Sequence, residues 1–192
     1  MLIEACVDTL TSALNAELGG ADRIELCDNL ADAGTTPSHG TLRLAIERLT
    51  IPVFPIIRPR GGGFVYGDAD ADVMAADLQH ARDLGAPGAV IGAITPDGDV
   101  DVRLIGELRA MVPDMQLTFH RAFDVCRDPA GALEALIELG IDRVLTSGQA
   151  AGRISIMPGG GVNEDNAAEL VRVTGVTDIH VRGAMLRRDA GP

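Results

Sequence analysis

Two short runs repeat one arrangement: Glu4-Ala5-Cys6 and Glu25-Leu26-Cys27 each set a carboxylate two residues before a thiol. If both runs are strands, side-chain alternation puts each acid and its thiol on one face, and Ile3, Ala5, Ile24 and Leu26 on the other. Cys6 and Cys27 then end neighbouring strands whose axes lie ~4.8 Å apart, close enough for two thiolates to hold a soft ion such as Cu(I). The plainer alternative is a pair of small buried residues. Glu4 and Glu25 must be paired if they point inward, and Arg58, Arg60 and Arg121 are the expected cations. A buried charge network that only fixes the fold is the competing reading.

Other segments carry further chemistry. His120 closes the run Gln116-Leu117-Thr118-Phe119 and is followed by Arg121, Phe123 and Asp124, so it can serve as acid, base or metal ligand. Glu25, His120 and Asp124 form the expected catalytic set, with Glu25 and His120 moving protons. His180 ends a later strand in the same way, whereas His39 and His80 fall in helical stretches and read as surface residues. Cys126 follows His120 on a loop at the same face. Two glycine runs suit anions. In Met157-Pro158-Gly159-Gly160-Gly161-Val162-Asn163 a strand passes into a helix, so backbone N–H groups can approach a phosphate or carboxylate; a tight turn is the alternative. Arg58-Pro59-Arg60-Gly61-Gly62-Gly63 adds two guanidiniums, or forms a lid with Phe64 and Tyr66 as its apolar contacts. Arg121 and Ser147 complete the expected anion-binding set with Arg58, Arg60 and Gly159–Gly161. With no Cys-x-x-Cys or Cys/His cluster, a structural zinc site is not expected.

These residues need elements to position them. Strand-like runs near 2–6, 22–27, 52–57, 88–93, 115–120, 142–146, 153–157 and 178–181 alternate with helical stretches near 9–18, 38–48, 70–84, 100–111, 129–139 and 163–173. Helix-ending glycines recur at Gly19-Gly20, Gly85, Gly140 and Gly175, while Thr36-Pro37, Thr95-Pro96 and Asp128-Pro129 look like helix starts. Repeated βα units favour a (β/α)8 barrel of the TIM type, formed by residues 1–192 as one domain, over a doubly wound sheet. The barrel rule then gathers the reactive residues at the carboxyl ends of the strands. One joint is too short. Only residues 146–153 stand between Leu145 and Ile154, whereas a parallel crossover needs at least ~10–12 residues. Either a segment is missing between strands 6 and 7, or those strands are not parallel neighbours; the first is preferred, and a convincing last helix after Arg182 is lacking too.

The chain has 192 residues and a formal charge of −12, with 46% hydrophobic and 23% charged residues. That balance belongs to a folded globular protein. The acidic excess disfavours nucleic acid and anionic membranes as partners, and no apolar run approaches the ~20 residues of a membrane span. Glu4 stands where a signal peptide would carry a basic head, and the three cysteines cannot pair evenly, so a reducing cytoplasm is expected.

Five ordered segments, Ile24-Glu25-Leu26-Cys27, Ile57-Arg58-Pro59-Arg60-Gly61-Gly62, Thr118-Phe119-His120-Arg121-Ala122-Phe123-Asp124, Leu145-Thr146-Ser147-Gly148-Gln149 and Ile156-Met157-Pro158-Gly159-Gly160-Gly161-Val162-Asn163, resemble signature segments of the CutC family. The resemblance spans Glu4 to about His180. It implies a cytoplasmic copper homeostasis protein with a (β/α)8 barrel that forms homodimers or larger oligomers. It attaches no reaction. It also implies a helical segment after Ser147-Gly148-Gln149 and a polar loop after His180, of which this chain keeps only Arg182-Gly183. The expected role is therefore copper homeostasis, with Cu(I) at Cys6 and Cys27. The alternative is an enzyme of unassigned reaction on a small phosphorylated or carboxylated metabolite held by Arg58, Arg60 and Gly159–Gly161.

Overall fold

The computed structural model describes residues 2–147, 155–163 and 165–182. All eight strands form within two residues of their expected bounds: β1 Leu2–Val7, β2 Arg23–Leu26, β3 Val53–Pro55, β4 Gly88–Ile91, β5 Gln116–Phe119, β6 Arg143–Thr146, β7 Ser155–Pro158 and β8 Asp178–Arg182. Between them lie α1 Leu10–Leu18, α2 His39–Arg48, α3 Asp68–Asp83, α4 Val102–Met111, α5 Pro129–Glu138 and α6 Ala167–Thr174. α6 starts later than expected. The Asn163 side chain accepts from the N–H groups of Asp165 and Asn166, which makes a local turn of the residues that would have opened the helix.

Of the three expected helix starts, one caps a helix and two do not. Asp128 caps α5 with Pro129 in the first turn. Thr36-Pro37 and Thr95-Pro96 start no helix: Ser38 caps α2 and Asp101 caps α4. Thr36 Oγ1 instead accepts from Arg58 N–H, and Thr95 Oγ1 from Asp99 N–H. Both threonines fold the loops that carry the strand ends. The helix-ending glycines behave as expected, Gly20, Gly85, Gly140 and Gly175 all having positive φ.

The pairings between the eight strands are parallel, in the orders β3-β2-β1-β8 and β4-β5-β6-β7. A parallel bridge from Ile56 to Val90 joins β3 to β4, and β7 packs beside β8, which closes the (β/α)8 barrel. β6 and β7 are parallel neighbours, with Val144 opposite Ile156. The joint of residues 147–154 is therefore shorter than a helical crossover, as expected for a chain lacking that segment. Its residues after Ser147, and the tail after Arg182, lie outside the described residues.

Parity decides which side chains face the axis. Ala5, Ile24, Leu26, Ile91, Phe119 and Val144 point outward into the apolar layer shared with the helices. Cys6, Cys27, Phe54, Ile56 and Val90 form a separate apolar cluster inside the ring. Glu4, Arg23, Glu25, Thr118, His120, Arg143 and Asp178 are buried polar residues. Large inward groups need small inward neighbours: a β-carbon on Gly88 would lie 2.4 Å from Phe54, and one on Gly92 2.3 Å from His120.

Candidate functional site

The carboxyl ends of the strands surround a cavity of about 660 Å³. Of the expected site residues, Cys6, Glu25, Cys27, Arg58, His120, Arg121, Asp124, Gly160 and Gly161 line it together with His180. Arg60, Ser147, Gly159 and Cys126 do not. Arg60 binds Asp70 and the carbonyls of Gly63 and Val65. Gly159 N–H donates to the Thr146 carbonyl, which removes it from the expected anion nest. Cys126 donates to the Ala122 carbonyl at 3.5 Å.

The expected cation partners of the buried acids are corrected. None of Arg58, Arg60 and Arg121 meets Glu4 or Glu25 among the described residues. Arg23 Nε donates to Glu4 at 2.5 Å, and His180 bridges both acids, Nδ1 at 2.9 Å from Glu4 and Nε2 at 3.3 Å from Glu25. The register explains this: Glu4 lies opposite both Arg23 on β2 and His180 on β8. Below them Asp178 accepts from Arg143 at 2.8 Å, and Arg143 also donates to Thr118. Arg23, Arg143 and Asp178 escaped the sequence reading. Counting back two residues from Glu25 would have placed Arg23 on the inward face.

Electrostatics divides the charges within this group. Burial would raise Glu4, but the hydrogen bond and charge of His180, with the charge of Arg23, hold it below the ordinary carboxylate value. Burial would lower His180, yet Glu25 and the hydrogen bonds with Cys6 and Glu4 raise it well above the usual histidine value. Glu25 is pushed well up by burial and by the neighbouring Cys6 sulfur. The two sulfurs lie 3.7 Å apart. The hydrogen bond from Cys27, against burial, lowers Cys6 to about 5, while that same bond and burial push Cys27 well up. His180, with Arg23 beside Glu4, thus favours the charged forms of Glu4 and Cys6, while burial favours the protonated forms of Glu25 and Cys27.

Asp124 has a different surrounding. Burial would raise it, but it accepts from Thr146 Oγ1 at 2.6 Å and Ser147 Oγ at 2.7 Å, and these bonds hold it below the usual aspartate value. Its carboxylate clasps the end of β6 to the turn after β5, and Arg121 Nε lies 3.4 Å away.

His120 is neutral, with a defined tautomer. Its Nδ1 accepts from Ala122 N–H at 3.1 Å, so the ring proton sits on Nε2. Nε2 is buried without a partner among the described residues. Burial, aided by the charge of Arg58, lowers its pKa to about 3. Between pH 6.5 and about 3 the unfolded chain therefore binds a proton there and the folded chain does not. This contribution is complete above pH 6.5 and is lost as pH falls through that window, at up to about 1.4 kcal/mol per pH unit. Denaturant titrations across the window should show that slope and a His120→Gln variant a flatter one. Nitrogen-15 spectra should show protonated Nε2 and bare Nδ1 throughout.

Comparison with known proteins agrees with this architecture. The CutC family model matches residues 1–185. The human copper homeostasis protein cutC homolog is 47% identical over 207 residues, covering 99% of this chain and 76% of the human one. That alignment is longer than the 192 residues of this chain, so the human protein carries residues in the matched span that this chain lacks. A CutC family protein of Chromobacterium violaceum is 45% identical, covering 93% of this chain and 79% of its own length. The crystal structure of the copper homeostasis protein CutC of Streptococcus agalactiae superposes with a TM-score of 0.89 at 34% identity, covering 94% of this chain and 98% of that one. A thiamine phosphate pyrophosphorylase from Pyrococcus furiosus, at a TM-score of 0.64 and 18% identity over 98% of this chain and 88% of its own, shares the fold alone. Among the described residues no helix is long and apolar enough to cross a membrane. Strand parity, the mouth lined by Cys6, Cys27 and His120, and the near full-length match converge: this chain belongs to the CutC family.

Proposed function

We propose that this protein handles copper by binding Cu(I) at Cys6 and Cys27. The observation that carries the reading is the pair of free, buried sulfurs 3.7 Å apart at the wall of an open mouth. Soft thiolates select Cu(I) over the hard cations that carboxylates alone would attract. Ligand atoms of Cys6, Cys27 and Glu25 lie within 4.8 Å of one another, so the donor set fits the ion and Glu25 offers a third contact. Cys6, lowered to about 5, supplies one thiolate before any metal arrives. Copper is cargo here. The same free thiols fit the reducing cytoplasm expected from the sequence. The homodimer implied by the family resemblance is the expected assembly, and native mass spectrometry reads it directly.

Titration of reduced protein with Cu(I) against a competing chelator tests the assignment. Cys6→Ser and Cys27→Ser should each weaken binding about a hundredfold, equivalent to about 2.7 kcal/mol, and Cys126→Ser should leave it unchanged. X-ray absorption should show sulfur ligands. An unaltered affinity in the Cys6→Ser/Cys27→Ser double variant would overturn the proposal.

A further inference from the structure

A cavity of about 660 Å³ is far more than one ion requires and falls within the range of about 300–1,000 Å³ typical of small-molecule sites. Two of its lining residues carry buried donors without partners among the described residues, Arg58 Nε and His120 Nε2. Elsewhere on the Arg58 guanidinium, the two terminal nitrogens donate three bonds, to the carbonyls of Asp32, Gly34 and Gly62 at 2.5–2.6 Å. Those acceptors are neutral. Among the described residues no carboxylate pairs with Arg58, although the residue is only 2% exposed. A buried cation with no counterion is costly, and a bound anion removes that cost. His120 contributes the second donor, and the Ala122 N–H holds its ring so that only Nε2 can donate. Both groups touch one ring, Phe64, with the Arg58 carbon 5.2 Å and the His120 ring 4.9 Å from its centre.

We infer that the mouth binds a small organic monocarboxylate, one oxygen on Arg58 Nε–H and the other on His120 Nε2–H, with its apolar body against Leu30, Ile56, Val125 and Val162. Two N–H donors and one positive charge match two carboxylate oxygens and one negative charge. A phosphate dianion brings more oxygens and more charge than this pair satisfies, in a chain of net charge −12. The Phe64 ring lies against both donor-bearing groups, so a ligand that reaches them turns that side chain aside while the Phe64 carbonyl keeps its bond from the Ile94 N–H. The expected anion grip keeps Arg58 and takes His120 in place of Arg60 and Gly159. Nothing in this inference needs copper, because Cys6 and Cys27 take no part.

The chain has no tryptophan, so a Phe64→Trp variant reports on the lid ring alone. Metal-free protein is titrated with acetate, butanoate and benzoate, and with inorganic phosphate beside them. Calorimetry should show saturable carboxylate binding with phosphate at least about tenfold weaker, and the tryptophan emission should change on saturation. The nitrogen-15 resonance of His120 Nε2 should shift in step. His120→Phe and Arg58→Lys should each weaken binding at least about tenfold, since either loses one hydrogen bond to a charged group. Arg58→Lys also frees three carbonyls, so His120→Phe is the decisive variant if the other misfolds. Cys6→Ser/Cys27→Ser protein should bind carboxylate normally, and His120→Phe should bind Cu(I) normally, which separates the two assignments. Absence of carboxylate binding, preference for phosphate, or unaltered affinity in His120→Phe overturns the inference.

Discussion

The Arg23→Met variant is expected to lose about 3–5 kcal/mol of folding stability, the usual cost of removing one partner from a buried ion pair. Arg23 is 3% exposed and donates from Nε to Glu4, which is fully buried. Its terminal nitrogen touches Met157 Sδ at 3.6 Å and lies 4.0 Å from Asp178, and its guanidinium stacks 4.9 Å from the Phe54 ring centre. Methionine keeps most of the apolar stem but leaves the Glu4 charge with His180 alone. Chemical denaturation should therefore show a large midpoint change with an unaltered slope. Glu4→Gln in the same background should restore part of the loss, because an amide without charge needs no cation. A double-mutant cycle with no coupling between positions 4 and 23 would contradict the pairing described above.

A second large effect is expected from a single methyl group. Gly92→Ala places a β-carbon 2.3 Å from His120 Cε1, 2.4 Å from Nδ1 and 2.9 Å from Nε2. The ring cannot simply retreat. It is held by the Ala122 N–H on one edge and by Phe64 and Phe119 at 4.9 and 5.9 Å. Overpacking of this kind costs about 1–3 kcal/mol and occasionally more, and the upper end is expected where an aromatic ring is fixed on several sides. Loss of the ring position also removes the Nε2 donor from the mouth. A Gly92→Ala/His120→Ala double variant should be no less stable than His120→Ala, since the clash is gone. If Gly92→Ala proved as stable as the natural protein, the packing of His120 against β4 would be wrong.

Much of this arrangement can be read before any coordinates. A strand alternates its side chains with a period of two, so Glu4 with Cys6, and Glu25 with Cys27, had to share a face. Their apolar neighbours Ala5 and Leu26 identified that face as the one away from the helices. The same reasoning, carried back from Glu25, reaches Arg23. Local chemistry also explains the misread helix starts. A threonine next to proline offers a capping oxygen, but Thr36 and Thr95 give theirs to loop N–H groups, because the helix itself begins at a later Ser or Asp. His120 was legible as reactive by position; its tautomer was not, since it depends on one N–H two residues ahead in a turn.

Fold class, strand count, the inward acids and thiols, and the gathering of polar residues at one rim all follow from short-range periodicity and the single hand of βα connections, which are properties of neighbouring residues. Which charge meets which is a long-range matter. Glu4 and His180 stand 176 residues apart and become partners only when the ring closes and sets their strands in register. The β1–β2 register gave Glu4 its Arg23, ring closure gave both acids His180, and the segments around β3 left Arg58 surrounded by carbonyls and directed Arg60 to Asp70. Electrostatic pairing depends on distances of a few ångströms, and only the tertiary structure brings such residues that close.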